Sequence, residues 1–536
     1  MNRSENLQKI KQLPGCDLLV IGGGATGCGI ALDAASRGIS VVLAEQNDFA
    51  EGTSGRSSKL VHGGVRYLEM AVKQFDRGQY QLVKEGLHER FYFLRNAPHL
   101  SHPLPLISPV YRWTQLPYVW FGLKLYDRLS GQHSLGPSGF SNLSKTLQEF
   151  PLLQKKDLKG GIRYYDGQFN DSRMALALAL SAAEHGALIA NHLAVVDLPK
   201  AAGKLVGAVF EDRISGERFS LQAKAVVNAT GPFVDKLRLL DDPNAQALLL
   251  VSSGVHIMLD ESYPPPQAGL LLSETEDGRV LFVLPWQGRC MVGTTDQHAE
   301  LSEHPPVRQD DIDYLLRHLQ KVIDPPPSSA NVSASWVGLR PLVQNPKAHD
   351  SARILRDFTI EESVSGLYSI AGGKWTSYRR MAEKLVDRVV EGRSFIAGHC
   401  KTKALPVTGA ENWQPNGWWL LVDNFSLSEP VARYLHQSYG CHAERIAHLA
   451  AERYGQPLAT GFPCLEAEVI HACQFELAER AIDILARRLP LALIDQRLAQ
   501  QAVPRVLELM SMEKRWSSQR LAEEKSLIEK RLTVAL

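Results

Sequence analysis

The apolar pattern changes period twice within the first fifty residues. Leu18 to Ile21 form an unbroken apolar run, a glycine turn spans Gly22 to Gly27, and an alanine-rich stretch keeps helical spacing to Arg37, where Gly38 stops it. A second apolar run ends at Glu45, which completes a βαβ unit. The polar glycine and serine stretch from Glu51 to Ser58, with the segment to Glu69, holds too few apolar residues to build a core and reads as a loop shaped around something. From Gln79 to Leu94, apolar residues at Leu82, Val83, Leu87, Phe91 and Leu94 predict an amphipathic helix. Pro98, Pro103, Pro105, Pro109 and Pro117 then break the pattern repeatedly.

The segment Tyr118 to Tyr126 is the most aromatic in the chain and suits either core packing or a membrane surface. A helix is predicted over Arg173–His185, and strands near Leu188–Leu198, Leu205–Glu211 and Ala223–Asn228. Proline triplets at 264–266 and 325–327 bracket a middle region of strand character. Beyond about Thr402 helical periodicity dominates, so residues 400–536 are expected to form a separate helical domain.

The charge narrows the function. Fifty-nine Lys and Arg against 58 Asp and Glu leave a formal net charge of +1 over 536 residues, so no basic excess points to nucleic acid. The 44% apolar and 22% charged content is ordinary for a folded protein. Seven scattered cysteines without a CxxC pair suggest neither a disulfide framework nor a metal site, and fit a reducing compartment. The N-terminus lacks the apolar stretch of a secretory signal, and no run of ~18 apolar residues predicts a spanning helix.

Gly22-x-Gly24-x-x-Gly27 lies between a strand and a helix, where a dinucleotide fingerprint belongs. Gly22 permits the tight turn, Gly24 lets the backbone approach a pyrophosphate, Gly27 lets helix and strand pack closely, and the helix N-terminus favours phosphate charge. Glu45 stands 23 residues after Gly22, where a carboxylate accepts from ribose hydroxyls. No second fingerprint follows, whereas glycine-marked segments return at Gly231, Gly293 and Gly372. That spread suits a long cofactor gripped by interleaved pieces of chain, which favours FAD over NAD.

The fingerprint, Thr53 to Glu69 (TSGRSSKLVHGGVRYLE), Asn228-Ala-Thr-Gly-Pro, Gly293-Thr-Thr-Asp296, Gly338-Leu-Arg-Pro and Gly372-Gly-Lys-Trp-Thr-Ser-Tyr-Arg379 together resemble the FAD-dependent, respiratory glycerol-3-phosphate dehydrogenase family. The resemblance covers about residues 14–395 in order; Gly55 stands where that family more usually has serine. It implies oxidation of sn-glycerol 3-phosphate to dihydroxyacetone phosphate by hydride transfer to FAD, with electrons passed to a membrane quinone. It selects Arg66, Tyr67, Arg340 and Lys374 for the phosphate substrate, with Arg340 and Lys374 also at the chemistry; removal of the C2 hydroxyl proton suits a neutral imidazole, which points to His256 in the apolar run Val255-His-Ile-Met-Leu. For non-covalently bound FAD it implies Gly22, Gly24, Gly27, Glu45, Thr53, Ser54, Ser58, His62, Gly63, Gly231, Gly372, Gly373 and Thr376.

The expected architecture is α/β: a Rossmann-like FAD-binding domain (14–76, 160–240 and 335–398) interleaved with an α+β substrate-capping domain (77–159 and 241–334), plus the helical C-terminal domain. The resemblance places the protein in the cytoplasm, peripherally on the inner face of the cell membrane, and makes a homodimer plausible. It brings no metal. A flavin oxidase using oxygen, on a glycerol phosphate or an amine, and a redox-inactive FAD-binding regulatory protein are the alternatives.

Overall fold

The computed structural model describes residues 2–64, 77–273, 275–276, 278–344 and 358–533. The strand Cys16–Ile21 lies at the centre of an eight-stranded sheet. It is flanked in parallel by Val41–Ala44 and Arg218–Asn228, and Leu367–Gly372 runs parallel beyond the latter. Burial on both faces explains their continuous apolar sequences: helices Ala25–Ser36 and Tyr378–Arg393 cover one side. Because these strands are parallel and in register, Ile21, Ala44 and Asn228 end level with one another. Their carboxyl ends therefore open onto one crevice, the place where open α/β sheets bind ligands.

A second, ten-stranded sheet is mostly antiparallel and is built around the hairpin-rich segment Leu249–Val343. Sheet membership departs here from the sequence division. Gly160–Phe169, expected with residues 160–240 of the FAD domain, pairs with Ser101–Val110 along its whole length. Val332–Val343 pairs with Leu249–Leu259 and so brings part of 335–398 into the second sheet. Leu60–Val61 joins the same sheet. A strand's own pattern records which faces are buried but not which neighbour it finds, so these memberships are tertiary decisions.

The prolines also behave differently from expectation. Ser101–Val110 is a strand despite Pro103, Pro105 and Pro109. All three sit at odd positions, whereas the Asn170 N–H reaches the Leu100 carbonyl, so the even positions carry the ladder to Gly160–Phe169. The missing N–H groups thus face away from that neighbour.

The chain from 419 onward is helical, as its periodicity predicts, and its core merges with one side of the second sheet around Met258 and Trp336. The aromatic segment forms the helix Leu116–Ser130, with Leu123 and Tyr126 buried and Trp120 exposed.

Candidate active site

The crevice continues as a single cleft of about 1670 Å³ that runs from the fingerprint turn to the second sheet. At its first end Gly22 has φ 112°, and a Cβ there would stand 2.5 Å from the Ala229 carbonyl oxygen, so only glycine fits. Gly24 is the N-cap of the helix Ala25–Ser36, and the Ala25 N–H donates to Ser54 Oγ at 2.9 Å. Glu45 accepts from the N–H groups of Gly23 (2.5 Å) and Asn47 (2.9 Å), and burial pushes its carboxyl up to about 6. Thr53 Oγ1 donates to the Leu339 carbonyl at 2.6 Å, and Trp375 Nε1 to that of Ser54 at 2.9 Å, so the serine loop is tied to both halves of the fold. Gly55 is fixed by space: a Cβ would come within 2.5 Å of the Ala50 oxygen and 2.7 Å of Ser172 Oγ, which leaves no room for a serine.

At the other end His256 projects from the strand Leu249–Leu259 into the cleft. Its Nε2 lies 2.8 Å from Ser58 Oγ, its ring is stacked on Trp336 at 5.4 Å, and its Nδ1 is buried without a hydrogen-bond partner among the described residues. Burial, reinforced by the nearby Lys59 and Arg340 cations, holds its pKa well below the usual histidine value. It is therefore a neutral imidazole. Lys59 itself is fully buried, ion-paired to Asp171 at 2.6 Å, and lies 5.1 and 5.4 Å from the rings of Trp286 and Trp336.

Arg340, on the neighbouring strand, is aimed by five acceptors. Nη1 donates to Asp296 (2.9 Å), the Ser253 carbonyl (3.0 Å) and Ser252 Oγ (3.3 Å), and Nη2 to Thr294 Oγ1 (3.0 Å) and the Thr295 carbonyl (2.9 Å). Its side chain still opens to the cleft, as does Lys374. His62 is held by Thr376, whose hydroxyl accepts from the His62 N–H and donates to its carbonyl, both at 3.3 Å. Gly63 differs from expectation: it does not line the cleft, and its N–H donates to Tyr126 Oη at 2.9 Å. Tyr126 in turn donates to Asp166 at 2.8 Å, which Arg90 pairs at 2.6 Å.

A family model described as FAD dependent oxidoreductase matches residues 17–388, and one described as C-terminal domain of alpha-glycerophosphate oxidase matches 400–521. The mitochondrial glycerol-3-phosphate dehydrogenase of Mus musculus is 44% identical over 98% of this chain and 74% of its own length. That of Arabidopsis thaliana is 40% identical, over 95% and 84%. The chain belongs to the FAD-dependent glycerol-3-phosphate dehydrogenase family. A solved structure of the glycerol-3-phosphate dehydrogenase from Bacillus halodurans complexed with FAD is 30% identical, covers 99% of this chain and 97% of that one, and superposes with a TM-score of 0.81.

In this glycerol-3-phosphate dehydrogenase family member the cofactor is FAD, and the residues present fit it. Gly24 leaves free a space that a Cβ would fill 2.8 Å from Ser54 Oγ, and the cleft is continuous from there to His256. Gly22, Gly24, Glu45, Thr53, Ser54, Ser58, His62, Gly231, Gly372, Gly373 and Thr376 line it together with His256, Arg340 and Lys374. Gly27 instead packs helix on turn, since a Cβ would meet the Gly22 oxygen at 1.8 Å. Arg66 and Tyr67 lie outside the described residues. Sequence reasoning missed Arg56, buried in the cleft wall with its pKa pushed down to about 10 by burial, and the buried pair Lys59–Asp171. A lysine inside a serine-rich loop carries no local sign that it will be buried; only its distant partner, Asp171, makes that tolerable.

Proposed function

We propose that this chain oxidises sn-glycerol 3-phosphate to dihydroxyacetone phosphate at the secondary carbinol. The reading is carried by the neutral His256–Ser58 pair in the same cleft as Arg340 and Lys374. FAD, when bound, supplies the two-electron acceptor for the hydride that leaves C2. Gly22, Gly24 and Glu45 with the 53–58 loop hold its nucleotide half, and His62, Gly372, Gly373 and Thr376 hold its ring end. His256 Nε2 accepts the C2 hydroxyl proton as the carbonyl forms, the substrate hydroxyl competing with Ser58 for that nitrogen. Burial lowers the basicity of His256, and the substrate's dianionic phosphate acts in the opposite direction. Arg340, already oriented by Asp296 and four backbone or hydroxyl acceptors that engage both Nη groups, sets a fixed positive charge toward phosphate; Lys374, Arg66 and Tyr67 complete the phosphate site.

Electrons then pass to a quinone at the cytoplasmic face of the cell membrane, which the protein meets peripherally, as a homodimer. No described helix is long and apolar enough to cross a membrane. The division into a FAD-binding part, a capping part and a helical C-terminal part rests on the two sheets and the helical region after residue 400.

Anaerobic mixing of the holoenzyme with glycerol 3-phosphate tests this. The flavin absorbance should bleach with the phosphate substrate and not with glycine, and bleach far more slowly in Arg340→Ala. A flavin that stays oxidised would remove the activity, and full-rate reduction in the variant would remove Arg340 from the site. Because the C-terminal family model takes its description from an oxidase, the acceptor needs its own measurement. Peroxide formed in step with product would replace quinone by oxygen.

A further inference from the structure

The loop after Glu45 has two faces. One lines the cleft: the Ala50 N–H donates to the Gly23 carbonyl at 3.0 Å, Ala50 sits at φ 63°, and the Gly55 N–H donates back to Ala50 at 2.9 Å. The other is gripped by the C-terminal domain, more than 400 residues away in sequence. Arg487 Nε and Arg488 Nη1 both donate to Asp48 Oδ2 at 2.5 Å, and Arg488 Nη2 donates to Oδ1 at 3.0 Å. Arg487 Nη2 also reaches Glu51 at 3.3 Å and Asp483 at 2.7 Å, and Arg531 reaches Glu51 at 3.1 Å. Three guanidinium groups thus meet three carboxylates, and Asp48 and Asp483 are wholly excluded from solvent.

Desolvating six charges is a poor way to gain stability alone, because apolar packing of the same volume does as well or better. What the network does that apolar packing does not is pin one loop in one conformation, including the left-handed Ala50. We propose that the C-terminal domain is a cofactor-retention element: Arg487, Arg488 and Arg531 hold Asp48 and Glu51 so that the loop stays closed on the fingerprint turn and FAD stays bound. This rests on the reading that the fingerprint turn and the 46–58 loop enclose the nucleotide half of FAD. Arg487, Arg488 and Arg531 are positioning residues, since none of them lines the cleft.

The experiment follows FAD release from the holoenzyme, read as recovery of flavin fluorescence on dilution below the melting range. Arg531→Ala should release FAD faster and Arg531→Lys close to the wild-type rate. Arg487→Met, where it folds, should release FAD about tenfold faster, the size expected of coupling through packed neighbours. Arg505→Ala removes the Arg505–Glu466 pair (2.7 Å) of the same domain, neither of whose members bonds Asp48, Glu51 or Asp483, and serves as the control for general destabilisation. Unchanged release in Arg531→Ala and Arg487→Met, or equal acceleration in Arg505→Ala, would overturn the proposal. Gly24→Val in the same assay separates the two readings. Normal retention there removes the placement of FAD on the fingerprint, whereas lost retention there with normal retention in both network variants removes the anchor alone.

Discussion

His256 meets unequal surroundings on its two ring nitrogens, a serine hydroxyl at Nε2 and, among the described residues, no hydrogen-bond partner at the buried Nδ1. Two cations nearby and full burial keep it neutral, so in the free enzyme it remains a proton acceptor to a pH below the ordinary histidine value near 6.5. The sign is that of a depressed pKa: the base form persists as pH falls. The acid limb of kcat/KM should accordingly lie below pH 6.5, and His256→Asn should lower kcat by roughly 10²–10⁴, typical of a lost general base, while FAD remains bound. A limb centred at or above pH 6.5 that survives in His256→Asn would assign it to another group. The sequence pointed to this histidine through its place in the apolar run from Val255 to Leu259 and the reaction's need for a neutral base. Its pairing with Ser58, 198 positions away, came only from the way the loop folds against the second sheet.

Among the elements, the helix Leu116–Ser130 shows how one segment serves two environments. Its apolar face buries Leu123 and Tyr126 while Trp120 faces out, so of a segment that suggested either packing or a surface, Tyr126 serves the core and Trp120 the solvent. The Tyr126 hydroxyl is what this helix contributes to the site: it accepts from Gly63 and donates to Asp166, fixing the segment after His62. Tyr126→Phe leaves both partners buried and one bond short, which should cost about 1–3 kcal/mol in a denaturant titration. A cost within error would mean that this hydrogen-bond chain does not hold the segment. The strand Ser101–Val110 makes the complementary point. Its prolines read as breakers because composition was legible, whereas their common parity mattered only once the partner strand was known.

Over the whole molecule, the C-terminal domain is joined to the rest by buried charge as well as by apolar packing. Arg173, at the start of the helix Asp171–Glu184, forms a bidentate pair with Glu476 at 2.8 Å on both arms and stacks over Tyr439 at 4.1 Å. Burial works against the Glu476 anion, but Arg173, helped by His471, holds its carboxyl well below the usual range. Arg173→Met should destabilise the protein by about 3–5 kcal/mol near neutral pH, because it strands a buried carboxylate. A carboxyl with a depressed folded pKa contributes above its unfolded pKa and loses that contribution as pH falls. The difference between variant and wild type should therefore shrink below pH ~4.5, and a difference constant from pH 7 to pH 4 would show that the pair is not its source.

The amino-acid sequence by itself determined what depends on neighbours along the chain: the strand–turn–helix–strand of residues 16–45, the glycines that turn there, and the helical texture after residue 400. Those features are local because backbone conformation and amphipathic period act over a few residues. The tertiary structure alone decided that Gly160–Phe169 and Val332–Val343 join the second sheet, that Lys59 is buried, and that Asp48 is held by Arg487 and Arg488. Strand partnership and the pairing of buried charges join residues that lie tens to hundreds of positions apart, and each is favourable only when the distant partner is in place.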